Sequence, residues 1–209
     1  MKLVSLVSSG IDSPVATYLL SRHKEDLVLV HADGRPFTDD REIENFNRLA
    51  KHLKTQTTGD MKTYLTPHGN SLTAFKKKCK PRYICILCKR MLVRYAEKIA
   101  EKEKAEAIIM GDSLGQVASQ TLQNLRVVED AVHIPIVRPL IGLDKEEIIK
   151  IAKKIGTYNL SIMPSAGCSA VPSKPATKAK LEDVLSEEKK IDVKKLLDQA
   201  IENTELILL

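Results

Sequence analysis

The 209-residue sequence predicts an α/β protein built on a doubly wound parallel sheet. Three observations carry that expectation. Apolar runs rich in Val, Leu and Ile alternate with segments of helical periodicity. The runs are continuous, not alternating, as in strands buried on both faces. Small or acidic residues, Ser8, Asp33 and Asp112, stand at their carboxyl ends, where such sheets place ligands.

Residues 2–8 form the first expected strand, and residues 13–22 a short helix with Pro14 near its start, where a missing N–H costs least. Residues 26–33 are a second strand. Residues 40–54 have helical spacing through Ile43, Phe46, Leu49, Ala50 and Leu53. Residues 62–66 read as a third strand and 71–84 as a basic segment. Residues 89–104 read as a helix buried through Met91, Leu92, Tyr95, Ala96 and Ile99. Residues 107–112 are a strand, 114–125 a helix and 134–137 a short strand. Asp144 and Glu147 make an N-terminal capping signal for a helix over 145–155, which Gly156 ends. From Ser161 the chain is first Pro-, Ser-, Gly- and Ala-rich, then carries charged helical segments near 177–186 and 192–205. The expected division is a nucleotide-binding domain over 1–160 and a loop with a helical tail over 161–209, packed on it.

A hydrophobic fraction of 43% supports a real core. Aromatic residues are 4% of the chain and Trp is absent, which argues against a base-stacking platform. The formal net charge of +6 suits a polyanionic partner. No signal peptide and no apolar run of membrane-spanning length is visible, so a cytoplasmic protein is expected, with no membrane partner. In a reducing compartment the 4 Cys point to catalysis or metal binding before disulfides.

The strongest motif is Ser8-Ser9-Gly10-Ile11-Asp12-Ser13, between the first strand and the first helix. Small residues let backbone N–H groups close on an anion, and the helix N-terminus adds its positive end. Ser8 and Ser13 can donate to phosphate oxygens, and Asp12 can hold Mg²⁺ or orient the loop. The Gly-Lys-Ser/Thr of a Walker loop is missing, which argues against γ-phosphate transfer. The motif resembles the signature of the PP-loop family, Ser-Gly-Gly-x-Asp-Ser, whose members split ATP between the α and β phosphates. Ser9 stands where that family has Gly, a strained choice if the position needs a positive φ.

Farther along, the run from Gly111 through Asp112, Ser113, Leu114, Gly115, Gln116, Val117, Ala118, Ser119 and Gln120 to Thr121 is similar to a segment of tRNA 4-thiouridine synthetases. So are Arg138-Pro139-Leu140, Asp144-Lys145, Ile155-Gly156-Thr157, Met163-Pro164, Cys168 and the stretch from Ser173 to Ala179. The likeness covers almost the whole chain. It implies an adenine-nucleotide-hydrolase-like fold, tRNA as substrate, and adenylylation of a uridine O4 followed by sulfur transfer. It also implies sulfur delivered as a cysteine persulfide or from a cluster, with a cysteine desulfurase or sulfide as donor. Members usually carry an N-terminal RNA-binding module, and some a rhodanese domain. This chain begins at its first core strand, so tRNA would be gripped by its own basic surface, by dimerisation or by a separate RNA-binding partner.

Residue by residue, the ATP site is expected at Ser8, Ser9, Gly10, Ile11, Asp12 and Ser13, with adenine near His31 and Ala32. Gly111 permits close approach to a ligand; Asp112 can bind metal and Ser113 can meet a phosphate. Gln116 and Gln120, four apart, would share a helix face and could read polar edges. Lys89 and Arg90 open the expected helix after the CxxC, where the dipole disfavours cations; they would lower the Cys88 pKa and neutralise charge on the α-phosphate. Lys76, Lys77, Lys78, Lys80 and Arg82 are the RNA-backbone candidates, or else a solvated basic loop.

Cys85 and Cys88 form the CxxC, Cys79 lies nearby, and Cys168 matches the family's sulfur-handling cysteine after Met-Pro. Three readings stay open. Cys168 carries a persulfide that Cys85 or Cys88 resolves. Cys85, Cys88 and Cys168 hold a [4Fe-4S] or [3Fe-4S] cluster with one iron open, as the resemblance implies. All four bind Zn²⁺. The expected catalytic set is Asp12, Lys89, Cys85, Cys88 and Cys168. The rival readings are a PP-loop enzyme acting on another tRNA base or a small molecule, and a non-catalytic RNA- or cluster-binding subunit.

Overall fold

A computed structural model describes residues 1–22 and 25–209. Its sheet has six strands in the order β5-β4-β1-β2-β3-β6, with β1 Lys2–Leu6, β2 Asp26–Asp33, β3 Met61–Pro67, β4 Ala107–Ile109, β5 Ile136–Val137 and β6 Glu205–Ile207. All pairings are parallel except β3 with β6. The winding reverses between β1 and β4, so their carboxyl ends form the crevice where sheets of this kind bind ligands.

Both faces of the sheet are covered. Val4, Val28 and Val30 face one side, against Met91, Tyr95 and Ile99 of α4 (Ile84–Glu103). Leu3, Leu27 and Leu29 face the other, with Val15 of α1 (Asp12–Ser21) and Phe46 and Leu53 of α2 (Asp40–Gln56). Each such buried side chain contributes roughly 1.5–3 kcal/mol, which is why the strands read as unbroken apolar runs.

Helix α3 (Gly69–Lys78) precedes α4; then follow α5 (Leu122–Glu129), α6 (Lys145–Lys154), α7 (Tyr158–Ser161), α8 (Leu181–Glu188) and α9 (Val193–Glu202). The capping box at α6 forms as expected, with Glu147 N–H donating to Asp144 Oδ1 and Asp144 N–H to Glu147 Oε2, both at 2.8 Å. Gly156 follows at φ +77°.

Helices α3 and α7 were not anticipated, and three further elements differ from expectation. Helix α4 begins at Ile84, so the CxxC lies in its first turns and Lys89 and Arg90 do not open it. Residues 114–121 are not helical. Gly115 sits at φ +75°, and Thr121 instead caps α5 by accepting from the Asn124 N–H at 3.3 Å. Ser and Thr bond locally to the backbone and stop helices in this way. The tail is more than a covering layer, because β6 extends the sheet at the β3 edge. Glu205 and Leu206 of β6 are exposed, so it lacks the buried apolar run that marks β1 to β4.

Candidate active site

The 8–13 loop closes on itself. Ser8 N–H donates to Ser13 Oγ at 2.9 Å, the two hydroxyls lie 3.1 Å apart, and Gly10 N–H donates to Ser8 Oγ at 3.3 Å. Ser9 N–H donates to the Glu42 carboxylate at 3.4 Å, so an anionic oxygen already meets this loop. Among the described residues the one non-glycine with positive φ is Lys104, so Ser9 is unstrained in place of the usual glycine. Gly111 earns its place through chain packing: a Cβ there would lie 2.7 Å from both Cα and N of Ser13. The two loops at the sheet's switch point are therefore pressed together, backbone to backbone.

Asp12 is paired with Lys145 at 2.5 Å. Sequence reading left Lys145 without a role. The available signal was a lysine in the first turn of α6, where the helix dipole disfavours a cation. Asp112, 3% exposed, accepts from Lys89 Nζ at 2.6 Å and from Arg138 Nε and Gln120 Nε2 at 3.4 Å. Two cations neutralise this carboxylate, which the sequence had offered as a possible metal ligand.

Other expected roles change too. Ser113 Oγ donates to Leu143 O at 2.7 Å and accepts from Gln116 at 3.1 Å, which leaves it a structural hydroxyl. Gln116 and Gln120 share no helix face. Arg90 is turned away from the nucleotide loop. It is buried, with its Nε 2.9 Å from Glu188 of α8 and further contacts to Asp130 and to Val127 O. It locks the tail to α4.

One cavity of about 240 Å³ gathers Ser8, His31, Ala32, Glu42, Cys88, Lys89 and Cys168 around apolar walls of Leu6, Val30, Leu72, Leu92 and Met110. An apolar slot with a few polar groups at its end suits a nucleobase with attached phosphates. A larger hollow of about 570 Å³ between α5 and the 179–181 segment holds none of the expected catalytic, nucleotide-binding or RNA-binding residues, so size alone does not mark the site. His31 Nδ1 donates to Val7 O at 2.8 Å and its ring stacks on Phe46 at 4.2 Å. Burial lowers its pKa, and among the described residues its buried Nε2 has no hydrogen-bond partner.

The thiols are all free. Cys168 is exposed on its loop, while Cys85 and Cys88 are half-buried in α4. Burial pushes the Cys88 thiol up to about 12, and the charges of Cys168 and Cys85 push the same way; Lys89 opposes them without prevailing. Cys85 rises as well, by burial and then by Cys168. The expected lowering at Cys88 is therefore reversed, because desolvation outweighs one cation. His68 Nε2 lies 3.2 Å from Cys88 Sγ, and its Nδ1 lies 3.2 Å from the Tyr95 hydroxyl. Cys79 is buried elsewhere, with its thiol on Glu187 O at 3.5 Å, so a four-cysteine zinc site does not fit. Among the described residues no three His, Cys, Asp or Glu side chains are placed to hold a single metal ion.

Lys76, Lys77 and Lys78 occupy the last turn of α3, where cations suit the helix dipole, and with Lys80 and Arg82 they are exposed. Lys76 Nζ sits 5.1 Å from the Phe37 ring, which brings the basic run beside the cavity's rim.

A family model described as thiamine biosynthesis protein (ThiI) matches residues 1–193. The chain belongs to the ThiI family. A relative from Methanothermobacter thermautotrophicus, described as "Probable tRNA sulfurtransferase", is 44% identical over 92% of this chain and 50% of its own length. One from Finegoldia magna with the same description is 42% identical over 97% of this chain and 52% of its own. The chain thus spans about half the length of the curated ThiI relatives it matches. A crystal structure of a 4-thiouridine synthetase–RNA complex with bound ATP superposes with a TM-score of 0.94 at 34% identity, over 99% of this chain and 55% of that one. An NMN synthetase from Francisella tularensis shares the fold alone, with a TM-score of 0.57 at 13% identity. The PP-loop α/β fold expected from sequence is thereby shown.

Proposed function

We propose that this chain is the catalytic part of an ATP-dependent tRNA sulfurtransferase that forms 4-thiouridine. The observation that carries the reading is the single cavity shared by Ser8 of the phosphate loop and by Cys88, Lys89 and Cys168. A nucleotide activated on one wall meets sulfur chemistry on the other.

ATP would lie with its phosphates on the 8–13 loop and its adenine between Ala32 and the apolar wall. Asp12 would hold Mg²⁺ beside the phosphates, giving up its contact with Lys145 to the metal. The uridine O4 attacks the α-phosphate, the bond to the β-phosphate breaks and pyrophosphate leaves. Lys89, steered by Asp112, and Lys145, released by Asp12, are the cations that balance the charge. A sulfur nucleophile presented at Cys168 then attacks C4, and AMP departs with the former O4. Cys85, Cys88 and Cys168 would be the ligands of an iron–sulfur cluster, whose open iron would supply a site for sulfide. Sulfide is already at the oxidation level of the product; sulfur from a cysteine desulfurase would instead arrive as a persulfide on Cys168, whose outer sulfur attacks C4, after which Cys85 or Cys88 attacks the Cys168 sulfur, freeing the thio-product and leaving a Cys168 disulfide. The exposed lysines of α3 and Arg82 would face the tRNA backbone, aided by a separate RNA-binding module or by a second copy. A cytoplasmic setting follows from the substrate, and no described helix is long and apolar enough to cross a membrane.

Two measurements test this reading. Purified protein with ATP and transcribed tRNA should release pyrophosphate, and Asp12→Asn should slow that release about 10²-fold, as expected for loss of one charged group from the site. Digested tRNA from a strain lacking the gene should have no 4-thiouridine; normal 4-thiouridine there would refute the assignment.

A further inference from the structure

The loop that carries Cys168 is held in place by side chains that do not line the nucleotide cavity. Its base is tied to the phosphate loop, with Ser161 Oγ donating to Gly10 O at 3.3 Å. Asn45, only 4% exposed in the interior of α2, donates to Met163 O and Pro164 O, both at 3.4 Å. A buried amide in a helix is costly unless bonded, and Asn45 bonds outward to this loop. Asp39 stands at the N-cap of α2 yet makes no side-chain cap bond there. Its Oδ2 instead accepts from the Ala166 N–H at 3.3 Å and from Arg41 Nε at 2.6 Å. On the far side of Cys168, Ser169 donates to Phe37 O through N–H at 2.8 Å and through Oγ at 3.1 Å. Gly167, between the two anchors, turns through φ +66°.

We propose that Asp39 and Asn45 are positioning residues that hold the Cys168 loop over the nucleotide cavity, so that they govern sulfur transfer and not ATP activation. The assignment rests on the tRNA sulfurtransferase reading. Its physical basis is that Glu42 of the same helix meets Ser9 of the phosphate loop. The N-terminal half of α2 is thus the strut between the two walls of the cavity, and its side chains set the gap that sulfur must cross. The Gly167 turn lets the chain present Cys168 between two fixed anchors, since a side chain at that φ is strained.

The test separates the half-reactions. Asp39→Ala and Asn45→Ala should release pyrophosphate from ATP and tRNA within twofold of the unaltered protein, while 4-thiouridine formation with sulfide falls at least tenfold. Asp39→Asn keeps an acceptor for Ala166 and should restore transfer. A second readout needs no turnover. In iron-free protein, diamide oxidises two thiols to a disulfide as it is reduced to its hydrazine. Cross-linking of Cys168 to Cys85 or Cys88 should be at least fivefold slower in Asp39→Ala and Asn45→Ala, and unchanged in Asp39→Asn. Gly167→Ala, on an exposed loop, should behave as Asp39→Ala does if Asn45→Ala fails to fold. The proposal is overturned if the alanine variants cross-link at the unaltered rate, or if pyrophosphate release falls as far as transfer. Absence of pyrophosphate release from the unaltered protein would sink the enzyme reading instead, and the cross-linking comparison would still decide this one.

Discussion

The two walls of the cavity are built in opposite ways. The phosphate wall is local at its centre: Ser8 bonds to Gly10 and Ser13 within five residues of chain, and the distant groups Glu42, Lys145 and Ser161 only brace that turn from outside. The thiol wall is assembled from afar, from Cys88 on α4, His68 before α3, and Cys168 on a loop hung from α2. A local wall is fixed once β1 and α1 form. A distant one depends on the packing of several elements, and its parts can be altered one at a time.

The sharpest way to break the comparison is to remove one wall's chemistry and leave the other intact. Cys168→Ser should abolish 4-thiouridine formation by at least about 10³-fold, because a hydroxyl replaces the sulfur carrier. Pyrophosphate release should stay within twofold, measured on the same protein with ATP and tRNA. An equal loss of both would mean that the walls do not act separately.

What could be read from the sequence follows the same division. The 8–13 loop, strands β1 to β5, the capping box at Asp144 and the Gly156 stop rest on neighbours in the chain and are legible, whereas β6 is not. Arg90 was not, because only the fold reveals Glu188 of the tail as its partner. The partners of Ser113 and Asp112 were hidden for the same reason: Leu143, Arg138 and Lys89 reach them across the fold. The pKa of Cys88 needed burial, which sequence does not provide, whereas the nearby lysine was visible and proved the smaller effect. Lys145 was in plain view at a helix start, and what sequence lacked was its contact with Asp12.

Gly111→Ala tests how tightly the phosphate wall is pressed together. The new Cβ would lie 2.7 Å from the Ser13 backbone, which has no flexible side chain to yield. Overpacking of this kind costs about 1–3 kcal/mol, which for a chain of this size lowers Tm by roughly 3–10 °C. Thermal unfolding checks it, and ATP affinity should weaken along with it. An unchanged Tm would show that the two loops are free to part.

The thiol wall has a pH signature of comparable size. Burial lowers the His68 pKa from 6.5 to about 4. The unfolded chain then takes up a proton between those values while the folded one does not, so stability falls as pH drops from about 6.5 to about 4. A gap of this size corresponds to about 3 kcal/mol. His68→Asn should flatten that part of the urea midpoint curve for iron-free protein. A curve as steep as that of the unaltered protein would assign the acid loss to other groups.

The smallest effect should come from the one position where the phosphate loop departs from its family signature. Ser9 has no left-handed φ, and its N–H, not its hydroxyl, is what bonds, to Glu42. Restoring the usual residue by Ser9→Gly therefore relieves no strain and removes no hydrogen bond of the folded chain. The unfolded chain gains some freedom, a cost of at most about 1 kcal/mol. Pyrophosphate release with tRNA should stay within about twofold. A large gain would mean that the serine obstructs ATP, and a large loss that its hydroxyl reaches a phosphate; either would make this wall less local than its hydrogen bonds suggest.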